Sequence, residues 1–499
     1  MLTITDTPFS WPPSGSQIYN AAFTLLIPPA FALFLLLGAE KSFQYYAVHA
    51  IYNVYFHPLS KYPGPKSTAI SRLPLIWSTI KGETWQFTGK LHDQYGDTVR
   101  VAPDEIATTR SAAWKDIYTQ KPLLLKDPFS QTPPMNGAES LFTAAGDTHH
   151  RIRKNFINAF SDKALKDQTP IITNYADLLI SRLRREIGKT PSGKVDMAKF
   201  YGYACLDIIA DLTFGESFYG LEGDNEHSWI LGFFLGAKFG SVRNSLSRYH
   251  PLDKIFGWIF LRLTAKNRAT SWRIATDKIS RRLEMGDLGP TRSDFITPVV
   301  GRLDETQQKG ITRKELNTNG LAVVIAGCQL PTVALATATY LLMRYPETLA
   351  LLAKEIRTSF NSEAEITVQS TMNLPYLTAV INETLRIHHP TPSNLPRIIP
   401  PGGQVVDGTW YPEGVRNISI HLCRWYLLKL ISWGGLQNII GVNLQNIQNF
   451  KDNWVEPRVF HPERFLPADD PRYDQRFASD DRQAFQPFSV GGRNCMGGK

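Results

Sequence analysis

The sequence predicts a mainly α fold with a minor β region, and three observations carry that expectation. Residues 321–345 read LAVVIAGCQLPTVALATATYLLMRY, apolar on every side, the pattern of a helix buried all round or of a membrane span. Residues 98–101 and 105–109 are short and rich in β-branched side chains, which suits strands. Beyond them helical patterns dominate, and no Ser/Gly-rich linker, low-complexity tract or internal repeat divides the 499 residues. Hydrophobic residues at 43% and charged residues at 20% are ordinary for a globular chain that buries a large core.

The ends and the charge come next. Residues 21–39, AAFTLLIPPAFALFLLLGA, are uncharged and close to the ~20 residues that cross a bilayer. Pro28 and Pro29 are tolerated in such a span. No Lys or Arg precedes it, so we expect a retained anchor rather than a cleaved signal. Lys41, His57, Lys61 and Lys66 follow it, which places the body in the cytosol by the positive-inside rule. The formal charge of +9 comes from 54 Lys and Arg spread along the chain, with no basic block. Nucleic-acid binding is therefore not expected, whereas a basic surface toward anionic lipid or an acidic redox partner is. Cys205, Cys328, Cys423 and Cys495 form no C-x-x-C pair, which argues against zinc or a disulfide framework and for a reducing compartment. The expected organisation is an anchor segment at 1–40, a proline-rich hinge at 41–66 and a body at 67–499. Within the hinge, Tyr62-Pro63-Gly64-Pro65 forbids a helix and makes a stiff, extended connection.

Four constellations in the body carry chemistry. Phe488-Ser489-Val490-Gly491-Gly492-Arg493-Asn494-Cys495-Met496-Gly497 sets one thiol among three glycines with an arginine two residues before it. Glycine lets backbone pass close to a large flat group, and Arg493 can meet an acidic group on it. His149 and Arg153 lie four apart and share a helical face; taken alone this is equally a solvated basic face. Glu383 and Arg386 lie three apart and can pair, ordinarily as a surface feature. Pro462-Glu463-Arg464-Phe465 follows downstream.

The pattern F-x-x-G-x-R-x-C-x-G resembles the haem-binding signature of the cytochrome P-450 superfamily, with every defining position filled. The other motifs stand in the order that family has, over nearly the whole chain. The resemblance implies a cytochrome P-450 fold and haem b whose iron is ligated by Cys495, with Phe488, Gly491, Arg493 and Gly497 completing the loop. It implies that His149, Arg153 and Arg397, the last in Leu395-Pro396-Arg397, reach the haem propionates. Glu383, Arg386 and Arg464 would form the buried network that locks the fold, tolerable only if each charge is paired.

Three departures from the family stand out. Where the family's central helix carries A-G-x-[DE]-T-[TS], an acid and an alcohol delivering protons for oxygen activation, this chain has Ala326-Gly327-Cys328-Gln329-Leu330-Pro331-Thr332. Ala326 and Gly327 fit and leave room for dioxygen. Gln329 replaces the acid and Leu330 the threonine, Pro331 is expected to kink the helix, and Thr332 falls about 200° round it unless the kink restores its register. Residues 426–448 intervene before Asn449-Phe450 and resemble no family segment, so we expect a surface insertion or translated intron. The chain stops at Lys499, so the proximal helix that starts at the family's cysteine is expected to be missing, with a cost to stability and activity.

The implied activity is that of a monooxygenase. It would use O2 and electrons from an NADPH-cytochrome reductase to oxidise a small apolar substrate at the endoplasmic reticulum membrane, held by a single span with the body cytosolic. The wording is most similar to filamentous-fungal members of secondary metabolism, including trichothecene and polyketide hydroxylases. The alternatives are a haem-deficient relic, or a family member that catalyses rearrangement or dehydration and needs no proton relay.

Overall fold

The computed structural model describes residue 44 and residues 46–131, 136–189, 191–223, 228–249, 252–286, 293–414 and 437–498. The expected anchor at 21–39, Cys423 and residues 426–436 of the expected insertion lie outside them. The chain divides into two compact units, Met1–His57 and Pro58–Lys499. In the first, Tyr52–Phe56 forms a π-helical turn and Asn53 bonds His49 at 3.0 Å. The second is the body, and the extended run from Pro58 belongs to it. Pro63 O accepts from Arg100 N at 2.8 Å and Tyr62 stacks on Tyr411 at 5.1 Å.

The longer helices of the body are α1 (Leu73–Lys81), α2 (Thr84–Tyr95), α3 (Ala113–Tyr118), α4 (Gly146–Phe156), α5 (Asp162–Lys189), α6 (Met197–Phe214), α7 (Ser228–Leu246), α8 (Leu252–Glu284), α9 (Arg313–Arg344), α10 (Pro346–Ser359) and α11 (Pro375–Ile387). The expected apolar helix at 321–345 is the larger part of α9. Its start lies a further two turns back, where Thr312 and Glu315 close a capping box: Glu315 N donates to Thr312 Oγ1 at 3.1 Å and Thr312 N to Glu315 Oε2 at 2.9 Å. Arg151 of α4 pairs with the same Glu315 at 2.6 Å, so one carboxylate caps α9 and ties it to α4. Among the described residues α9 is the helix long and apolar enough to cross a membrane, and it lies against α6, α8 and α11 in the body instead. It runs on through Pro331.

Four strands form the main sheet, β1 (Thr98–Ala102), β2 (Glu105–Thr108), β3 (Arg397–Ile398) and β6 (Ile439–Val442), in the order β1-β2-β6-β3. β1 and β2 pair antiparallel, with Thr98 opposite Thr108, as their β-branched wording predicts. A separate hairpin of β4 (Gln404–Val406) and β5 (Thr409–Tyr411) turns on Asp407 and Gly408, both at positive φ, the Asp-Gly turn whose twist matches a hairpin.

The strand β6 corrects the expected insertion. Residues 438–448 are no surface loop: β6 pairs parallel with β2 and antiparallel with β3, and a further helix, α12 (Leu444–Ile447), follows it. All four β6 residues are buried, as are Asn438, Asn443 and Gln445. Asn438 Nδ2 donates to Pro412 O and Glu413 O at 3.0 and 3.1 Å. Gln445 Nε2 likewise donates to Ile387 O at 2.7 Å, so two amides of this polar stretch are spent on neighbouring carbonyls.

Two large apolar cores stand out among the described residues. One gathers Ile106, Trp114, Tyr118, Ile440, Val442 and Trp454 about the sheet. The other joins α4, α6, α8 and α9 through Phe156, Phe214, Ile279, Leu316 and Val324. Between α11 and the segment after α12 sits the network expected from Glu383, Arg386 and Arg464. Arg386 grips Glu383 at 2.7 and 2.8 Å, and Arg464 Nε approaches Glu383 Oε1 at 3.2 Å. A fourth member was not expected: Asp480 accepts from Arg464 Nη1 at 2.6 Å. The side chains of all four are withdrawn from solvent. Two cations thus meet two carboxylates, and Arg386 also donates to Gln448 O and Pro457 O at 2.8 and 2.7 Å. Trp454 faces both guanidinium groups, 5.2 and 5.8 Å from its ring centre.

Candidate functional site

Cys495 sits near the end of the described chain on a tight loop. Cys495 N donates to Phe488 O at 2.9 Å, folding the loop back on its start. Gly491 makes that possible: its φ is 78°, and a Cβ there would lie 2.0 Å from Tyr118 O. The Gly497 backbone passes close enough that a Cβ would stand 4.0 Å from Cys495 Sγ. An open pocket of about 320 Å³ lies beside the thiol, lined by Arg153, Ile157, Phe160, Phe488 and Met496 among others. Met496 packs against the core that α9 shares with α4, α6 and α8.

The other described cysteines are placed differently. Cys205 and Cys328 are buried between α6 and α9, where Cys328 Sγ lies 3.8 Å from Gly202 O and burial pushes its thiol up to about 12. Cys495 is exposed. Among the described residues no three His, Cys, Asp or Glu side chains converge as ligands for a metal ion. The loop therefore offers one sulfur donor, the number a porphyrin-held iron takes from a thiolate protein.

Beside the loop lies a cluster of cations. Arg493 is half-buried; its Nη2 donates to Ala144 O at 2.7 Å, while its Nη1 is buried without a hydrogen-bond partner. Arg397 is buried at the start of β3, over the Tyr118 ring at 4.8 Å, and Arg397 Nη1 donates to Pro396 O at 3.0 Å. His149 is buried on α4, its imidazole pushed down to about 4 by burial first, then by Arg493, Arg153 and Lys126. Arg153, on the same face, is already engaged: its Nη1 and Nη2 donate to Asn494 O and Oδ1 at 2.8 and 2.7 Å, bracing the residue before the cysteine. Lys126 joins the cluster, its ammonium pushed down to about 8 by burial first, then by Arg493 and Arg397. The sequence offered no motif for it. Its signal is tertiary, an isolated antiparallel bridge that pairs Lys126 with Arg397.

This donor set fits a ligand carrying carboxylates. Mutually repelling cations, one with an orphaned buried nitrogen, stand beside a thiol on a loop with room for a flat group. The expected anion-binding residues His149, Arg397 and Arg493 are thus brought together, and Arg153 beside them braces the loop.

The distal residues fall otherwise than expected. Gly327 does not leave an open space: a Cβ there would stand 2.4 Å from Ile209 Cδ1, so the missing side chain lets α6 approach α9. Thr332 is buried, its hydroxyl donating to Cys328 O at 2.6 Å on the side that faces Gly202 and Cys205 of α6. It is not returned to the register of Leu330, which is exposed, as is Pro331. Ala326 and Gln329 are half-buried.

Comparison with known proteins gives the family of the chain. The chain matches the family Cytochrome P450 over residues 63–423 and 437–499, so the matched part includes β6 and only 424–436 interrupts it. It is 35% identical over 479 residues to the cytochrome P450 monooxygenase lcsI of Purpureocillium lilacinum, covering 94% of this chain and 84% of that one. An averantin hydroxylase of Dothistroma septosporum is 35% identical over 447 residues, 89% of this chain and 78% of the relative. Another, from Aspergillus parasiticus, is 32% identical over 487 residues, 98% and 88% of the two chains.

Proposed function

The chain belongs to the cytochrome P450 family and is a monooxygenase of it, and on that premise we propose that Cys495 ligates the iron of haem b for oxidation of a small apolar substrate. The observation that carries the reading is the exposed thiol beside a buried cation cluster with an unsatisfied Arg493 nitrogen. Haem bound there supplies the reduction and cleavage of dioxygen, which a thiolate ligand favours. The chain's own residues do the rest. Arg397, Arg493 and neutral His149 receive the two propionates, Arg153 holds Asn494 and so the loop, and the Gly491 turn sets the sulfur's approach. Glu383, Arg386, Arg464 and Asp480 keep the segments around that loop in place.

The substrate is a small apolar molecule of fungal secondary metabolism, as the relatives' name averantin hydroxylase supports. Electrons come from an NADPH-dependent reductase, and residues 21–39 hold the protein in the endoplasmic reticulum membrane. The test is a carbon monoxide difference spectrum of the reduced protein. A Soret band at the thiolate position is expected, lost in Cys495→Ala and retained in Cys205→Ala and Cys328→Ala. Retention of that band without Cys495 overturns the assignment.

One observation favours a second reading. The turn of α9 at 329–331 offers one polar side chain, Gln329, and no hydroxyl, since Thr332 is turned to α6. A proton donor must lie within hydrogen-bond reach of the group it serves. A rearrangement or dehydration needs no such donor, and turnover without O2 and NADPH would select it. Under the monooxygenase reading, Gln329→Glu with Leu330→Thr raises product formed per NADPH consumed; an unchanged ratio removes Gln329 from that role.

A further inference from the structure

His389 belongs to none of the motifs, yet it is a buried imidazole with both ring nitrogens engaged at the base of the cysteine loop. It lies three residues past Arg386, where α11 has ended and the chain has turned extended at His388. Gln445 of α12 fixes the backbone there from both sides: its Oε1 accepts from His389 N at 2.7 Å, and its Nε2 donates to Ile387 O at 2.7 Å. On the ring, Thr391 N donates to Nδ1 at 2.9 Å, and Nε2 lies 2.9 Å from Pro487 O. A backbone N–H can only donate and a carbonyl can only accept, so Nδ1 carries the lone pair and Nε2 the hydrogen. Nδ1 also stands 3.0 Å from Thr391 O, but a hydrogen placed there would set a bare Nε2 against Pro487 O and leave Thr391 N without its acceptor. Burial, which pushes the imidazole down from its ordinary value, favours this neutral form. Pro487 opens the cysteine loop. Ser489 N donates to Gln486 O at 3.0 Å, and Ser489 holds a φ of 58°, a left-handed conformation that persists only where the surroundings impose it. The carbonyl next to that of Pro487, Phe488 O, accepts from Cys495 N at 2.9 Å. The imidazole thus grips the start of the same short loop whose end carries the thiol.

We propose that His389 is a positioning residue for the thiolate ligand: its Nε2–H fixes Pro487 O and, through the adjoining Phe488 carbonyl, the backbone from which Cys495 presents its sulfur. This rests on the reading of Cys495 as the ligand of haem iron. His389 acts through the backbone and not on the sulfur itself. Successive peptide planes are joined at one Cα, so a tilt of the Pro487 plane swings the Phe488 carbonyl that receives Cys495 N. Proline strengthens the hold, because its ring fixes its own φ and its carbonyl is its one hydrogen-bonding group. Without the imidazole donor, the left-handed turn at Ser489 loses one of the contacts that impose it. States in which Cys495 N leaves Phe488 O then become populated, and in these the sulfur is open to protonation by solvent and is lost as an anionic ligand.

The experiment compares the full-length holoprotein as wild type, His389→Phe, His389→Gln and His389→Asn by two readings. One is the carbon monoxide difference spectrum; the other is amide hydrogen exchange of peptides covering 488–495, followed by mass spectrometry. Phenylalanine fills the space of the ring without a donor. Glutamine carries its amide nitrogen as far out as the histidine Nε2, whereas asparagine stops at the level of Nδ1. In His389→Phe the ratio of the thiolate band to the displaced, shorter-wavelength band falls on the order of 5-fold, and exchange at 488–495 rises by a similar factor, the effect of one lost neutral hydrogen bond. His389→Gln restores both readings toward wild type, and His389→Asn behaves as His389→Phe does. A wild-type band ratio in His389→Phe overturns the proposal, as does a ratio in His389→Gln no better than in His389→Phe. If circular dichroism shows His389→Phe to be misfolded, the pair of His389→Gln and His389→Asn decides, and equal ratios in the two overturn the proposal. Failure of the haem reading is a separate outcome: wild type itself then shows no thiolate band and the ligand role of the loop falls with it, while the exchange reading still tells whether His389 holds the loop.

Discussion

Two groups of buried cations in this molecule meet opposite fates. In the network of Glu383, Arg386, Arg464 and Asp480, two guanidinium groups face two carboxylates and several carbonyls, with every side chain withdrawn from water. In the cluster of Lys126, Arg397 and Arg493 beside neutral His149, the charges face one another, and an Arg493 nitrogen has no partner. The first arrangement balances two cations with two carboxylates, although Arg464 Nε, 3.2 Å from Glu383 Oε1, makes no hydrogen bond, and it serves the fold. The second holds more cation than carboxylate, which is what the proposed cofactor site calls for. Buried charge alone does not tell structure from function; the balance of partners does.

The comparison breaks or sharpens under four changes. The largest effect is expected for Glu383→Ala, which leaves buried Arg386 with carbonyls alone and Arg464 with Asp480 as its carboxylate. The loss is about 3–5 kcal/mol, read as a large fall in denaturation midpoint of the haem-free protein; a midpoint near wild type would show that the network is not structural. Arg397→Met is expected to reverse the pattern. Removing one of several repelling cations leaves the haem-free protein within about 1 kcal/mol of wild type, while haem titration shows weakened binding. Destabilisation as severe as that of Glu383→Ala would erase the distinction between the two groups.

A smaller effect concerns pH. Burial, then Arg493 and Arg153, hold the folded His149 at about 4, below the ordinary 6.5 of the unfolded chain. Between pH 6.5 and 4 the unfolded state binds the extra proton, so stability of the haem-free protein falls as pH drops through that window. The slope from this residue is at most about 1.4 kcal/mol per pH unit. His149→Phe should flatten it in denaturation curves at pH 4.5 and 7; an unchanged slope would place the titration elsewhere. The smallest effect is Thr332→Val. Its hydroxyl makes a neutral bond within α9 to a carbonyl, so the loss is expected below about 1 kcal/mol by the same denaturation. A loss as large as that of Glu383→Ala would give the neutral bond the rank here reserved for paired charge.

Much of both regions can be read along the chain, and what cannot has a physical pattern. The pair Glu383 and Arg386 is one helical turn apart, and the cysteine loop lies within ten residues, so covalent spacing alone brings their atoms together. The Asp407-Gly408 turn and the strands at 98–102 and 105–108 are equally local, set by which backbone angles and pleats those residues accept. The buried character of α9 follows from its uninterrupted apolar wording. Its start at Thr312 was also legible, in the Thr-x-x-Glu spacing of a capping box.

What the amino-acid order by itself determined is therefore the chemistry available: one thiol on a glycine loop, a charged pair at helical spacing, basic residues on a helix face, and an α9 turn without its expected acid and alcohol. Tertiary structure decided which of these face one another. It placed Lys126 beside Arg397 across some 270 residues of chain, supplied Asp480 to Arg464, turned Thr332 to α6 rather than to Leu330's side, and drew 438–448 into the sheet as β6 and α12. The reason is the range of the forces. Backbone preference and helical spacing act within a turn, whereas pairing a buried charge or completing a sheet depends on which distant segment packing brings within a few ångströms.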